Sequence, residues 1–194
     1  MRGIAFFDFD GTLTRHDTFV SFARHVKGAR GLLRAMLGCA PSLLAWKLGL
    51  AEGAVAKQRL FASLYRGMEL VRFRAHAEMF ADRVDADLRP EAMELLRRHL
   101  LRGHRVVVVS ASLEEWIRPW AARHGVHDVL ATRAETDAGG RLTGRFSTPD
   151  CRGAEKVRRV RALIPDVESR ETWAYGDSRG DEEMLALATH PFRV

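Results

Sequence analysis

Asp8 and Asp10, one residue apart and followed by Gly11 and Thr12, end an uninterrupted apolar run, Ile4-Ala5-Phe6-Phe7. Two carboxylates this close repel, and beside Phe6, Phe7 and Phe9 each favours its protonated form unless a cation neutralises it. Such a pair suits metal binding, nucleophilic attack and general acid–base work. The plain alternative is a turn cap, since Asp-Gly is a common turn dipeptide. Further polar groups stand at comparable places: Ser110 after four valines, Lys156 in a basic stretch, and Asp177 and Asp181 after Thr172-Trp173-Ala174-Tyr175-Gly176.

The elements that must position these groups follow from the pattern. Continuous apolar runs at residues 4–7, 105–109, 129–132 and 172–175 read as strands buried on both faces. Helices are expected at 90–101, opened by Pro90, at 113–124 despite Pro119, at 153–163 and at 181–188, with a hairpin turning at 137–140 and a short last strand at 192–194. Strand alternating with helix predicts an α/β, Rossmann-like three-layer core around a parallel sheet, in which ligands bind at the carboxyl ends of the strands. Asp8, Asp10, Ser110 and Asp177 all fall at such ends. Residues 18–87 lack strand signals and read as helices, broken near 28–31, Pro41, 49–53 and Gly67. An all-helical block placed directly after the acidic strand end suggests a lid.

Composition narrows the classes. The 194 residues carry a formal net charge of +6, with a sequence pI near 10.0. The excess lies between Thr12 and Arg89, where thirteen Lys/Arg face seven Asp/Glu. No helix-turn-helix or finger spacing and no interleaved surface aromatics accompany it, so nucleic acid is not expected as a partner. Cys39 and Cys151 have no metal-ligand spacing and suggest a reducing, cytoplasmic setting, and a structural strand at Ile4 leaves no room for a removable leader. Residues 35–46 carry no charge and are bounded by Arg34 and Lys47. Twelve helical residues span about 18 Å, too short for a bilayer. They read either as a buried helical hairpin or as a peripheral face resting on anionic membrane, with Arg24, Lys27 and Arg30 nearby.

Taken together, the residues resemble the haloacid dehalogenase-like phosphohydrolases, in the branch that includes phosphoserine phosphatase. Asp8-Phe9-Asp10-Gly11-Thr12 is similar to that family's DxDGT motif, Ser110 to its strand-terminal Ser/Thr, Lys156 to its phosphate-binding lysine, and Gly176-Asp177-Ser178-Arg179-Gly180-Asp181 to its GDxxxD motif. The resemblance implies residues 1–14 and 89–194 as the catalytic core and 15–88 as a helical cap. It implies Asp8 as nucleophile, Asp10 as general acid and base, and Mg²⁺ held by Asp8, the Asp10 backbone carbonyl and Asp177. Phosphate would meet Ser110, Ala111, Lys156, Gly11 and Thr12, Thr12 would also fix the loop and Asp10, and Asp181 would orient waters or Lys156.

Specificity would fall to Asp17 and Ser112. Asp17 occupies the place of a glutamate thought to meet the substrate amine in phosphoserine phosphatases, and Ser110-Ala111-Ser112 replaces their Ser-Gly-Gly. Both departures weaken the phosphoserine reading. An apolar basic cap with Asp17-Thr18-Phe19 resembles a sub-branch acting on phosphatidylglycerophosphate, histidinol phosphate or unassigned phosphomonoesters. The implied substrate is a small or lipid-linked phosphate ester, with a phosphomutase sharing the aspartyl-phosphate step as the near rival. His16, beside the site mouth, reads as structural.

Overall fold

The structure is a computed structural model that describes residues 3–194. Strand β1 (Ile4–Phe7) leads into four helices, α1 (Thr18–Gly38), α2 (Ala40–Lys47), α3 (Gly53–Tyr65) and α4 (Leu70–Asp85). Then come α5 (Pro90–Leu101), β2 (Arg105–Leu113), α6 (Glu114–Arg123), β3 (Asp128–Thr132) and a hairpin of β4 (Ala134–Thr136) and β5 (Leu142–Phe146). The chain closes with α7 (Ala154–Leu163), β6 (Thr172–Gly176), α8 (Glu182–Leu187) and β7 (His190–Arg193).

Five strands form one sheet in the order β3-β2-β1-β6-β7, every pair parallel. The central position of β1 explains its composition. Ala5 and Phe7 enter the core on one face, while Ile4 and Phe6 pack with Val107, Val109, Val160 and Met184 on the other, so neither face admits a polar side chain. The chain leaves β1 for β2 on one side and returns through β6 on the other. Its carboxyl end is thus a topological switch point, where flanking connections diverge and leave a crevice.

Strand β2 runs longer than its apolar core, to Leu113, with an irregular register between Ser110 and Leu113. Ser110 therefore lies inside the strand, and Leu113, not a serine, stands at the N-cap of α6. The irregularity sets Ala111 and Ser112 against no partner on β3, and bulged strands re-aim their side chains in this way.

Helices α1 to α4 join the sheet through aromatic contacts. Phe22 of α1 stacks on Trp116 of α6 with ring centroids 4.6 Å apart and meets Phe73 and Phe80 of α4 edge-on. The hairpin braces the far end of the block: Leu70 N–H donates to Gly140 O, Gly67 N–H to Leu142 O, and Leu142 N–H to Met68 O. The break expected near 28–31 appears at Gly28, whose φ of 67° kinks α1, and the one expected at Pro41 falls two residues earlier, at Cys39. Pro41 lies in the first turn of α2, where its missing N–H costs nothing, so it opens a helix. The uncharged run 35–46 is neither wholly buried nor wholly free: Ala35, Cys39 and Ser42 are buried, Leu37, Leu44 and Trp46 exposed. Among the described residues no helix is long and apolar enough to cross a membrane.

Candidate active site

The loop after β1 is shaped by what it must bury. Phe9 turns into the core against Trp120, ring centroids 4.9 Å apart, which sends Asp8 and Asp10 the other way. Leu13 and Thr14 N–H both donate to Phe9 O, and the Thr14 hydroxyl donates to His16 O at 2.8 Å, closing the turn. Gly11 has φ of 83°, and a Cβ there would lie 2.3 Å from Asp177 Oδ2, so glycine lets this turn approach β6.

Lys156, in the first turn of α7 and 1% exposed, is the centre of charge. Its ammonium donates to Asp8 Oδ1 at 2.5 Å, Asp181 Oδ1 at 2.5 Å and Val109 O at 2.7 Å. The other oxygen of Asp181 accepts from Ser178 N–H at 3.0 Å and Ser178 Oγ at 2.8 Å. Asp8, Asp177 and Asp181 each offer an oxygen within 4.8 Å of the others. Burial pushes the Asp8 carboxyl up against the pull of Lys156, and raises Asp177 with help from Asp181. Burial works on Asp181 too, but Lys156 outweighs it and holds that acid below the usual range. Three acids thus share one ammonium, and the buried Asp177 Oδ1 has no hydrogen-bond partner. A small hard cation with oxygen ligands fits this deficit.

The Asp10 side chain belongs to a different set. Its Oδ1 accepts from Thr18 N–H at 2.7 Å and Thr18 Oγ1 at 2.6 Å, and its Oδ2 accepts from the Ser112 hydroxyl. Burial, reinforced by Asp17 and moderated by these bonds, pushes the carboxyl up to about 6. Thr12 does not perform the task expected of it: its buried Oγ1 has no partner, and Thr14 holds the loop while Thr18 and Ser112 hold Asp10. Thr18 carried one legible signal, a hydroxyl at the start of a helix eight residues beyond Asp10. Asp17 caps α1, its Oδ1 accepting from Phe19 and Val20 N–H. Ser110 is buried and its Oγ accepts from Ser112 N–H at 3.0 Å; the Ala111 carbonyl accepts from Thr132 Oγ1 and from Lys57 of α3, which also pairs with Asp150. Nothing in the motif pattern singled out Lys57 or Asp150. His16 is exposed and pairs with Asp87 at 2.6 Å.

A cavity of about 440 Å³ opens above these groups. Asp8, Asp10, Ser110, Lys156 and Asp181 supply polar lining from the sheet side, and the helical block adds Phe19, Val20, Met36, Leu43, Trp46 and Leu60 together with Asp17 and Lys57. One side can hold a phosphoryl group in a ring of charge, while the other offers carbon to whatever the phosphate is attached to.

The family model described as haloacid dehalogenase-like hydrolase matches residues 5–186. The chain is 37% identical over 190 residues to Protein CicA of Caulobacter vibrioides, covering 94% of this chain and 81% of that protein. It is 30% identical over 195 residues to Phosphoserine phosphatase SerB1 of Mycobacterium tuberculosis, covering 96% and 63%. Among solved structures, a protein with unknown function from Bordetella pertussis Tohama I superposes with a TM-score of 0.79 at 25% identity, covering 100% of this chain and 90% of that one.

Proposed function

Because the chain belongs to the haloacid dehalogenase-like hydrolases, we propose that it is a Mg²⁺-dependent phosphomonoester hydrolase working through an aspartyl-phosphate on Asp8. The observation that carries this reading is the buried meeting of Asp8 with Lys156 beside the unpartnered Asp177 Oδ1. An Asp8 oxygen attacks phosphorus and the bond from phosphorus to the ester oxygen breaks. Asp10, raised to about 6, gives the departing alkoxide its proton. Water then attacks the phosphorus of the acyl phosphate, Asp10 takes the water's proton, and Asp8 and inorganic phosphate separate. Thr18 and Ser112 aim the Asp10 carboxyl through both steps, and Lys156 neutralises charge on the phosphoryl oxygens. Mg²⁺ would be held by Asp8, the Asp10 carbonyl and Asp177, and would supply further positive charge for the phosphoryl group.

Residues 1–14 and 89–194 serve as the core of this enzyme and 15–88 as its cap. The phosphate would meet Ser110 and Ala111, which line the cavity, and the Gly11-Thr12 turn that follows Asp10, and buried, unpaired Cys39 and Cys151 suit a cytoplasmic protein. The test is release of inorganic phosphate from an aryl phosphate, expected with Mg²⁺, abolished by a chelator and restored by readdition. A phosphoryl group returned to a sugar instead would identify a mutase, and no turnover with any divalent ion would end the proposal.

The apolar wall bears on the leaving group. With Phe19, Val20, Met36, Leu43, Trp46 and Leu60 in the lining and one oxygen of Asp17 tied up as a helix cap, a phosphorylated alcohol with an apolar body fits better than phosphoserine. Lengthening ethyl phosphate to hexyl phosphate is expected to raise kcat/KM by at least about tenfold, since each buried methylene contributes up to about 0.8 kcal/mol. Equal values for the two esters, with phosphoserine turned over faster than either, would return the assignment to small polar substrates.

A further inference from the structure

The outer side of the same helices has an unusual composition. From Thr18 to Ala51 there are five cations, Arg24, Lys27, Arg30, Arg34 and Lys47, and no acid. Within that stretch the second half of α1, α2 and the turn after α2 expose Leu33, Leu37, Leu44, Trp46, Leu48 and Leu50, each between 49% and 78% accessible. Leu33 and Leu37 are four residues apart, as are Arg30 and Arg34, and each arginine is followed three residues later by one of the leucines, so cations border the leucines on one surface. Scattered apolar residues on a surface need no explanation, but six in two short helices and one turn do. Met36 and Trp46 are exposed on this tip and also line the catalytic cavity, so the apolar surface continues inward toward Asp8.

We propose that the α1–α2 tip docks on an anionic lipid surface, its leucines and Trp46 entering the interface while the surrounding arginines and lysines meet the headgroups. Both halves of the surface are needed for this choice. A polyanion without hydrocarbon would use the cations and leave the leucines in water, whereas a second copy of this chain would bring the like charges of Arg30, Arg34 and Lys47 on the tip against one another. A bilayer carrying anionic headgroups takes up both. The tip is joined to the rest through the Gly28 kink, while the hairpin braces α3 and α4 at the opposite end of the block. Docking would therefore place the cavity mouth at the lipid surface without loosening the site. For what enters the cavity the inference rests on the phosphatase reading, and an amphiphilic phosphomonoester held in that surface is the matching substrate class.

Binding is measured separately from catalysis, by cosedimentation of the full chain with vesicles of phosphatidylcholine alone and with added phosphatidylserine. Pelleting is expected with the anionic vesicles, weakening as salt is raised, and little with the zwitterionic ones. Arg30→Gln with Arg34→Gln is expected to lower partitioning about thirtyfold at low salt, at about tenfold or less per charge. Leu37→Glu with Leu50→Glu, at exposed positions that do not line the cavity, should lower it at least as much. Failure of the wild-type chain to pellet with anionic vesicles at low salt would overturn the proposal, as would undiminished pelleting of the leucine variant. A concentration-dependent dimer abolished by the leucine substitutions, without pelleting, would overturn it in favour of a second copy. Aryl phosphate hydrolysis by the same preparation reports on the phosphatase reading alone, so the two can fail independently.

Discussion

Replacing Asp8 with asparagine is expected to lower kcat for an aryl phosphate by at least about 10⁴-fold, the scale on which removal of a covalent nucleophile acts. The substitution keeps the shape of the side chain and removes its charge and its nucleophilic oxygen. An aryl phosphate is the informative substrate because its leaving group departs with little help from an acid, so the first step reports on the nucleophile and not on proton donation by Asp10. The fold should survive, since Lys156 keeps Asp181 Oδ1 and Val109 O as acceptors and the buried site becomes less crowded with acids. Near-wild-type thermal unfolding together with undetectable turnover is therefore the expected pair of results. Activity within a hundredfold of wild type would remove Asp8 from the mechanism.

Lys156→Met is expected to cost both function and stability. The ammonium is completely enclosed and is the shared counter-charge of Asp8 and Asp181. Removing one member of a buried ion pair strands its partner, which typically costs about 3–5 kcal/mol. For a chain of this size that amounts to a fall in Tm of roughly 10 °C. The pH dependence has a definite sign. In the wild-type protein Lys156 holds Asp181 below the usual range, so its contribution is present above the unfolded-state pKa and is lost as pH falls through the depressed value. In the variant Asp8, already pushed up to about 7 against the pull of Lys156, rises further and is largely protonated at neutral pH, so the stranded charge is that of Asp181, and the penalty shrinks as that acid in turn protonates. The difference in Tm between the two proteins, measured without divalent ions, should therefore narrow as pH is lowered from neutral. A constant gap would mean that lost packing, not stranded charge, sets the cost. Turnover should fall by a factor of at least about 10², the scale of losing one electrostatic donor to a transition state.

Much of the site was legible because its residues announce themselves by local pattern. Asp8 and Asp10 end a run that only a doubly buried strand tolerates, and Asp177 ends another. Gly11 shows how far such legibility goes. The Asp-Gly dipeptide indicates a turn, yet the need for glycine comes from Asp177, which sits where a Cβ would project. Ser110 shows where legibility fails. The four valines end at residue 109 and suggest a strand handing over to a helix, but Leu113 is buried and draws β2 four residues further. Thr12 and Thr18 are hydroxyl residues close to Asp10 in sequence, and the resemblance of residues 8–12 to the DxDGT motif favoured Thr12. The fold turns α1 back so that Thr18 presents both its N–H and its hydroxyl to the carboxylate.

What the amino-acid order alone determined was the set of elements and the chemistry at their ends: a parallel α/β sheet, acids at the tips of its strands, a lysine on a following helix and a basic helical block after the first strand. Periodicity and residue type carry this information because they record which faces each segment must bury. Tertiary structure decided the partnerships: Lys156 between Asp8 and Asp181, Asp10 between Thr18 and Ser112, Lys57 reaching from α3 to Ala111 and Asp150, and Met36 and Trp46 of α1 and α2 brought to the cavity while Leu37 and Leu44 meet solvent. These contacts join segments that meet only at the crevice beside β1, where strand order reverses, and such meetings depend on the packing of whole elements against one another, which no local spacing encodes.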